Sequence, residues 1–175
     1  MPAICDKLNP MFPNIEKELP KHLEGQISIL GFGNRYWRDD GAGSHIAEAL
    51  KTVAGLNAVD GGSVPENHLE AVIRNKPDTI LLIDAADFGA APGEARLFSP
   101  DELALTGLST HAGSPRMLAR YLTARCQARV MMLAIQPVDN SEGEALSAEV
   151  SATADQLVKF LSGFPVKAGL AGAPI

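Results

Sequence analysis

Two aspartates and one histidine, far apart in the chain, have the residue types of a metal-binding site. Asp40 stands before a predicted helix, Asp84 closes a strongly apolar run, and His111 precedes another predicted helix start. Two carboxylates and one imidazole form an oxygen, oxygen, nitrogen set that suits a borderline divalent metal such as zinc, nickel, iron or manganese. Three protein ligands would leave further positions on the metal open.

Each of these residues also has a structural interpretation. Asp40 could be the N-cap of its helix, and a loop histidine such as His111 could equally be a turn or packing residue. Asp84 is harder to explain in this way, because an acid that closes an all-aliphatic strand has no local structural task. Asp60 also ends a predicted strand and joins Asp40 and Asp84 as a candidate catalytic or supporting residue.

No chemical role is predicted for two other aspartates and for the three other histidines. We expect two of the aspartates to face solvent or to satisfy loop amides, and three histidines to be solvated: Asp39, Asp87, His22, His45 and His68.

The stretch 26–50 positions the first aspartate, because its hydrophobic period changes in the middle. An apolar run from Ile27 to Phe32 predicts a buried strand, and an apolar repeat from Ile46 to Ala54 predicts a helix. Gly31 and Gly33 lie between them, where the backbone must come close to something. Asp40 therefore follows a strand and opens a helix.

Similar patterns predict the other elements. A short strand is predicted at 56–59 and buried strands at 79–83 and 130–135, with an antiparallel or edge strand at 94–98 after a short turn. Ser63 and Glu66 have the spacing of a capping box. The helix after Pro115 is predicted to bury four residues along one stripe: Met117, Leu118, Tyr121 and Leu122.

These elements predict an α/β three-layer sandwich, a twisted, mostly parallel five-stranded sheet with helices on both faces and one antiparallel edge strand. The strand order 2-1-3, with later strands beyond the third, is common in small folds of this kind. In that order the loops with Asp40 and Asp84 open onto one crevice at the carboxyl ends of the strands, and the loop with His111 can arch over it.

Composition excludes several classes of partner. The 175 residues carry a formal net charge of −6, which argues against nucleic-acid and anionic-membrane surfaces, because both need clustered Lys and Arg. Cys5 and Cys126 form no zinc or disulfide pattern, and no signal peptide or membrane span is expected. We expect a cytoplasmic monomer with an N-terminal extension at 1–25, one domain at 26–163 and a frayed tail at 164–175.

A dinucleotide-binding loop is the main competing interpretation of GFGN after a strand. The third glycine of GxGxxG would fall at Tyr36, whose side chain would block the close approach of the helix. The phosphate loop GxxxxGK[ST] and the GxSxG nucleophile elbow are absent from the sequence.

The motifs GFGNRYWRDDGAG, VDGGSVPE, TILLIDAADFG, STHAGSP and LAIQP follow one another in the chain. Together they resemble the hydrogenase maturation endopeptidases, with most likeness to the branch that processes hydrogenase 3 of formate hydrogenlyase. The resemblance spans about residues 27–161. It implies an endopeptidase that removes the C-terminal peptide of a NiFe-hydrogenase large-subunit precursor after nickel insertion, and it places the metal contacts on Asp40, Asp84 and His111.

The resemblance further implies that nickel already seated in the precursor, or another divalent metal in the same site, is the recognition element. Either a carboxylate or a metal-polarised group would activate water. Asp60, in the DGG motif, is a supporting residue. The alternative is a non-catalytic metal-binding assembly factor that docks on the precursor without cutting it.

Overall fold

The computed structural model describes residues 14–106, 108 and 114–165. Within these residues the elements alternate between strands and helices, with short 3-10 turns at Arg38–Gly41 and Pro65–His68. In chain order they are α1 (Ile15–His22), β1 (Ile27–Gly31), α2 (Ala42–Leu50), β2 (Leu56–Asp60), α3 (Leu69–Ile73), β3 (Thr79–Ala85), β4 (Ala95–Phe98), α4 (Pro100–Thr106), α5 (Pro115–Arg125), β5 (Arg129–Ile135) and α6 (Ala148–Ser162).

The five strands form one sheet in the order β2-β1-β3-β5-β4. Strands β1, β2, β3 and β5 run parallel, and β4 pairs antiparallel with β5 at the edge. The predicted fold class and strand order are therefore confirmed. The short turn before β4 leaves no room for a crossover, which explains why this strand alone reverses direction.

Helices cover both faces of the sheet. Helices α1, α2 and α6 bury their apolar residues on one face, and α3, α4 and α5 on the other. Along β3, Leu81 and Ile83 point into the first core and Ile80 and Leu82 into the second. Every residue of β3 is buried, so its unbroken apolar run reflects cover on two sides.

Helix α1 lies within the predicted N-terminal extension. Three apolar residues at helical spacing, Ile15, Leu19 and Leu23, are buried in the first core. This part of residues 1–25 thus packs into the domain and contributes to its stability.

Three local predictions are wrong. Helix α2 ends at Leu50, before Ala54, and a turn follows in which Val53 donates to the Leu50 carbonyl at 3.0 Å. Ser63 does not cap a helix, because the chain enters a 3-10 turn at Pro65 with Val64 before it and no side-chain cap. The third error concerns α5.

In α5, Leu118 and Leu122 are buried, whereas Met117 and Tyr121 are 72% and 42% exposed. Met117 and Tyr121 each precede a buried leucine by one residue, which turns them about 100° away from the sheet around the helix. The stripe that faces the sheet is therefore narrower than the apolar pattern predicts.

Candidate active site

The loop after β1 is threaded between the ends of its two neighbouring strands. Phe32 donates its N–H to the Ile83 carbonyl of β3 at 3.0 Å, and Gly33 donates to the Gly62 carbonyl beyond β2 at 2.8 Å. The chain then turns, with the Trp37 N–H bonded to the Asn34 carbonyl at 3.0 Å. These bonds hold the loop at the carboxyl edge of the sheet.

Asp40 lies inside this loop and is hydrogen-bonded to its backbone. Its carboxylate is 3% exposed and accepts the Asn34 N–H on Oδ2 at 2.8 Å. Its own N–H donates to the Trp37 carbonyl at 3.1 Å. Asp40 lies in the 3-10 turn that leads into α2, so the competing interpretation as a simple N-cap of α2 is not what the structure shows.

Asp84 lies next to Asp40 across a glycine. It is the penultimate residue of β3 and is completely buried. A Cβ placed on Gly33 would be 1.7 Å from the Asp40 carbonyl oxygen and 3.4 Å from Asp84 Oδ1. Gly33 also has φ +130°, a conformation that disfavours other residues. Only a glycine fits between the Asp40 backbone carbonyl and the Asp84 carboxylate, so the structure brings these two predicted residues together.

Helix α2 packs directly against the backbone of β1 and β3. A Cβ on Gly43 would lie 2.0 Å from the Ile83 carbonyl oxygen, and a Cβ on Gly31 would lie 2.0 Å from the Gly43 carbonyl oxygen. With no side chain between them, helix and strands are in van der Waals contact. This contact fixes the height of the preceding turn, and hence of Asp40, above the strand that carries Asp84.

His111, the third predicted ligand, lies outside the described residues. Ser114, three residues later, precedes α5, which packs on the same face as Ile80 and Leu82. Alternation along β3 assigns Asp84 to that face. Among residues 14–106, 108 and 114–165 no group of three candidate ligands meets at one point, so a ligand role for His111 stays a prediction.

Asp60 ends β2, which is separated from β3 by β1, and it belongs to a separate hydrogen-bond network. Its Oδ2 accepts from Arg35 Nη2 at 2.9 Å, and its Oδ1 accepts from Ser44 Oγ at 2.7 Å and from the Gly62 N–H at 3.0 Å. Strand β1 separates β2 from β3, so the backbones at Asp60 and Asp84 are about 10 Å apart. The network ties the β1 loop, α2 and the β2 loop together.

Asp39 has a larger structural part than its sequence signal indicates. It is fully buried. Its carboxylate accepts the N–H groups of Val138, Asp139 and Ser147 at 2.9, 3.0 and 2.7 Å, and the Ser147 hydroxyl at 2.9 Å. The prediction that it would satisfy loop amides is confirmed, and the alternative that it would face solvent is wrong. In the sequence, the pair of adjacent aspartates was the only sign of this role. It did not show whether Asp39 would bond to loop amides or face solvent.

Gln136 is a residue that the sequence patterns did not identify as part of the site. Its Oε1 accepts the N–H groups of Phe88 and Ala90 at 3.0 and 3.1 Å, and its Nε2 donates to Asp87 Oδ1 at 3.0 Å. This bond and the Gly89 amide lower the pKa of Asp87. Gln136 follows β5 and braces the loop that leaves Asp84. The only hint was its position at the end of an apolar strand.

His45 is not the solvated histidine that the sequence predicts. It is half-buried on α2, and desolvation, followed by the nearby charge of Arg35, lowers the pKa of its imidazole. The Glu144 backbone acts in the opposite direction. His45 is therefore held towards its neutral form beside the Arg35 network.

Comparison with known proteins identifies the family. Residues 43–163 match the family model of HycI, hydrogenase maturation protease. This chain belongs to the hydrogenase maturation protease family. The resemblance seen in the sequence is therefore confirmed.

Individual relatives agree with this assignment. The hydrogenase 3 maturation protease of Escherichia coli K12 is 36% identical over 115 residues, which cover 62% of this chain and 71% of that protein. The crystal structure of HycI from Thermococcus kodakarensis superposes with a TM-score of 0.74 at 26% identity, covering 82% of this protease and 96% of that chain. The solution structure of HycI from Escherichia coli gives 0.68 at 28% identity, covering 82% and 97%.

No helix in the described part of this maturation protease is long and apolar enough to cross a membrane.

Proposed function

We propose that this protein is the endopeptidase that removes the C-terminal peptide from the large-subunit precursor of a NiFe-hydrogenase once nickel has been inserted. Membership of the hydrogenase maturation protease family supports the reaction class. The observation that carries the proposal is the packing of Asp40 and Asp84 against one glycine, Gly33, at the carboxyl edge of adjacent strands.

The donor set at this edge fits a divalent cation. Two carboxylates that are 3% and 0% exposed offer oxygen ligands in a dry environment, and such ligands suit nickel when an imidazole completes the set. In the proposal, Asp40, Asp84 and His111 contact the nickel that the precursor itself carries, or another divalent metal in the same position. A precursor without the metal would lack the contact that joins it to the two carboxylates and would bind poorly.

One carboxylate of the pair then has a second task in peptide cleavage. It accepts a proton from the attacking water, whose oxygen adds to the scissile carbonyl carbon. The C–N bond breaks and the proton passes to the leaving amine. The other activation route, polarisation of water or of the carbonyl by the metal, uses the same residues as ligands. Asp60 supports the site by holding Arg35 and Ser44 in place.

The decisive assay compares nickel-loaded with nickel-free precursor. Purified protein is incubated with each, and the mass of the precursor is measured. We expect loss of the C-terminal peptide from the nickel-loaded form only. Equal cleavage of both forms would eliminate metal recognition, and an intact precursor in a stable complex would favour the non-catalytic assembly factor.

Asp84→Asn and Asp87→Asn form a matched pair for the site assignment. Asp84 is buried at the site, whereas Asp87 is exposed three residues later. We expect Asp84→Asn to abolish cleavage and Asp87→Asn to leave it within about twofold. We also propose that the protein acts as a cytoplasmic monomer, in keeping with its net charge of −6 and its two cysteines.

A further inference from the structure

Three exposed apolar residues lie on two neighbouring segments beside the candidate active site. Tyr36, Trp37 and Val138 are 67%, 48% and 50% exposed. Trp37 forms a β-bridge with Gly143, and Val138 donates its N–H to the carboxylate of Asp39, two residues after Trp37. We call Tyr36, Trp37 and Val138 the loop patch.

The backbone beneath the loop patch is held by hydrogen bonds in both directions. The Gly143 N–H donates to the Tyr36 carbonyl at 2.8 Å, and the Arg38 N–H donates to the Gly143 carbonyl at 2.7 Å. The Tyr36 N–H also donates to the side chain of Asn34 at 3.0 Å. A binding surface that is ordered before binding loses little conformational entropy when a partner arrives.

The position of the loop patch limits what can cover it. Trp37 accepts the Asp40 N–H, and Asn34 donates to the Asp40 carboxylate, so two residues of the patch, Tyr36 and Trp37, belong to the loop that carries Asp40. A second copy of this chain on the patch would lie against the loop that holds Asp40. Two copies, each with a net charge of −6, would also repel one another.

The charges around the loop patch indicate the chemistry of its partner. Arg38 is paired with Asp139 at 3.4 Å, whereas Glu142 and Glu144, on either side of Gly143, are exposed and form no ion pair within the described residues. The patch thus presents aromatic and aliphatic groups with an acidic border. Its complement is an apolar surface with basic residues around it.

We propose that the loop patch docks on the folded hydrogenase precursor, against an apolar, basic-rimmed surface next to the precursor's metal centre. This inference rests on the proposed function and adds a second contact to it. The metal reports that the precursor is loaded, and the loop patch supplies the affinity and orientation. Aromatic side chains commonly dominate such contacts.

Trp37 is the only tryptophan in the sequence, which allows a direct test. Protein grown with 5-fluorotryptophan gives a single fluorine resonance from this side chain. We expect that resonance to shift or broaden when nickel-loaded precursor is added. A resonance that stays unchanged while the wild-type protein cleaves the precursor would overturn the inference and leave the proposed function intact.

Kinetics provide the second measurement. Tyr36→Ala and Trp37→Ala remove side chains but keep the backbone bonds of the loop, so we expect KM for the precursor to rise about tenfold or more with kcat within about twofold. Leu105→Ala is the matched control, since Leu105 is 87% exposed on α4, and its KM should equal that of wild type. An unchanged KM in both loop variants would refute docking through the patch.

Two further results separate the possible causes of failure. A resonance that moves with the protein's own concentration, before precursor is added, would show that a second copy occupies the patch and would overturn the inference. A resonance that responds to precursor in the absence of any cleavage would support docking and overturn the protease function.

Discussion

Asp39 and Asp40 are neighbours in sequence, but alanine should have different effects at the two positions. It should mainly lower stability at Asp39 and mainly abolish cleavage at Asp40. Asp39→Ala removes the acceptor of three backbone N–H groups in the loop 138–147. Because these amides are partly buried, leaving each without an acceptor costs about 1–2 kcal/mol, so the free energy of unfolding should fall by about 3–6 kcal/mol. Asp40→Ala removes the acceptor of one amide, that of Asn34, and should cost about 1 kcal/mol.

Thermal and urea unfolding of both variants test this difference. For a domain of this size 1 kcal/mol corresponds to about 2–4 °C in Tm. Asp39→Ala should therefore lower Tm by about 6–24 °C and Asp40→Ala by only a few degrees. The cleavage assay should give the reverse order, with Asp40→Ala folded and inactive.

Hydrogen exchange adds a local readout. In Asp39→Ala the amides of Val138, Asp139 and Ser147 should lose protection, while those of β3 keep it. The reasoning is refuted if Asp39→Ala unfolds within 1 kcal/mol of wild type, or if Asp40→Ala is destabilised to the same extent.

Three other predictions follow from the same contacts. Gly43→Ala places a methyl group 2.0 Å from the Ile83 carbonyl oxygen. The free energy of unfolding in urea should fall by about 3 kcal/mol, and cleavage should be lost because α2 must move away from the sheet. A variant as stable as wild type would contradict the contact. Arg35→Ala and Asp60→Ala should show a coupling of about 1 kcal/mol in a double-mutant cycle of unfolding, since the pair is partly exposed; additive effects would show that the pair contributes nothing. Burial lowers the pKa of His45, so protonation favours the unfolded chain: stability should be complete above the unfolded pKa of about 6.5 and fall as the pH drops below it. His45→Gln should reduce that fall between pH 7.5 and 5.5, and an identical pH dependence in both proteins would argue against the lowered pKa.

The sheet and the convergence of Asp40 and Asp84 were predictable because they depend on periodicity. Five apolar runs with the right spacing allow few topologies, and the loop after β1, which carries Asp40, must lie beside the end of β3, which carries Asp84, at the carboxyl edge. Hydrophobic pattern carries this information directly. The confirmed order β2-β1-β3 follows from it.

Roles that depend on side-chain direction were not predictable in the same way. The sequence Asp-Asp does not show which aspartate bonds to the loop 138–147 and which bonds within its own loop, because that choice depends on the twist of a single 3-10 turn. The exposure of Met117 and Tyr121 has a similar origin, since it depends on how α5 is rotated over the sheet. The partial burial of His45 was not predicted, because a polar residue on a helix is normally expected to face solvent.

The 3-10 turn at Arg38–Gly41 makes the length of the preceding segment more critical than its composition. Successive residues in such a turn are rotated by about 120°. Deleting or inserting a single position between Gly33 and Arg38 would rotate Asp40 out of its place and bring a different group there. The exposed side chains of Tyr36 and Trp37 can therefore vary, whereas the number of residues and Arg35, which binds Asp60, cannot.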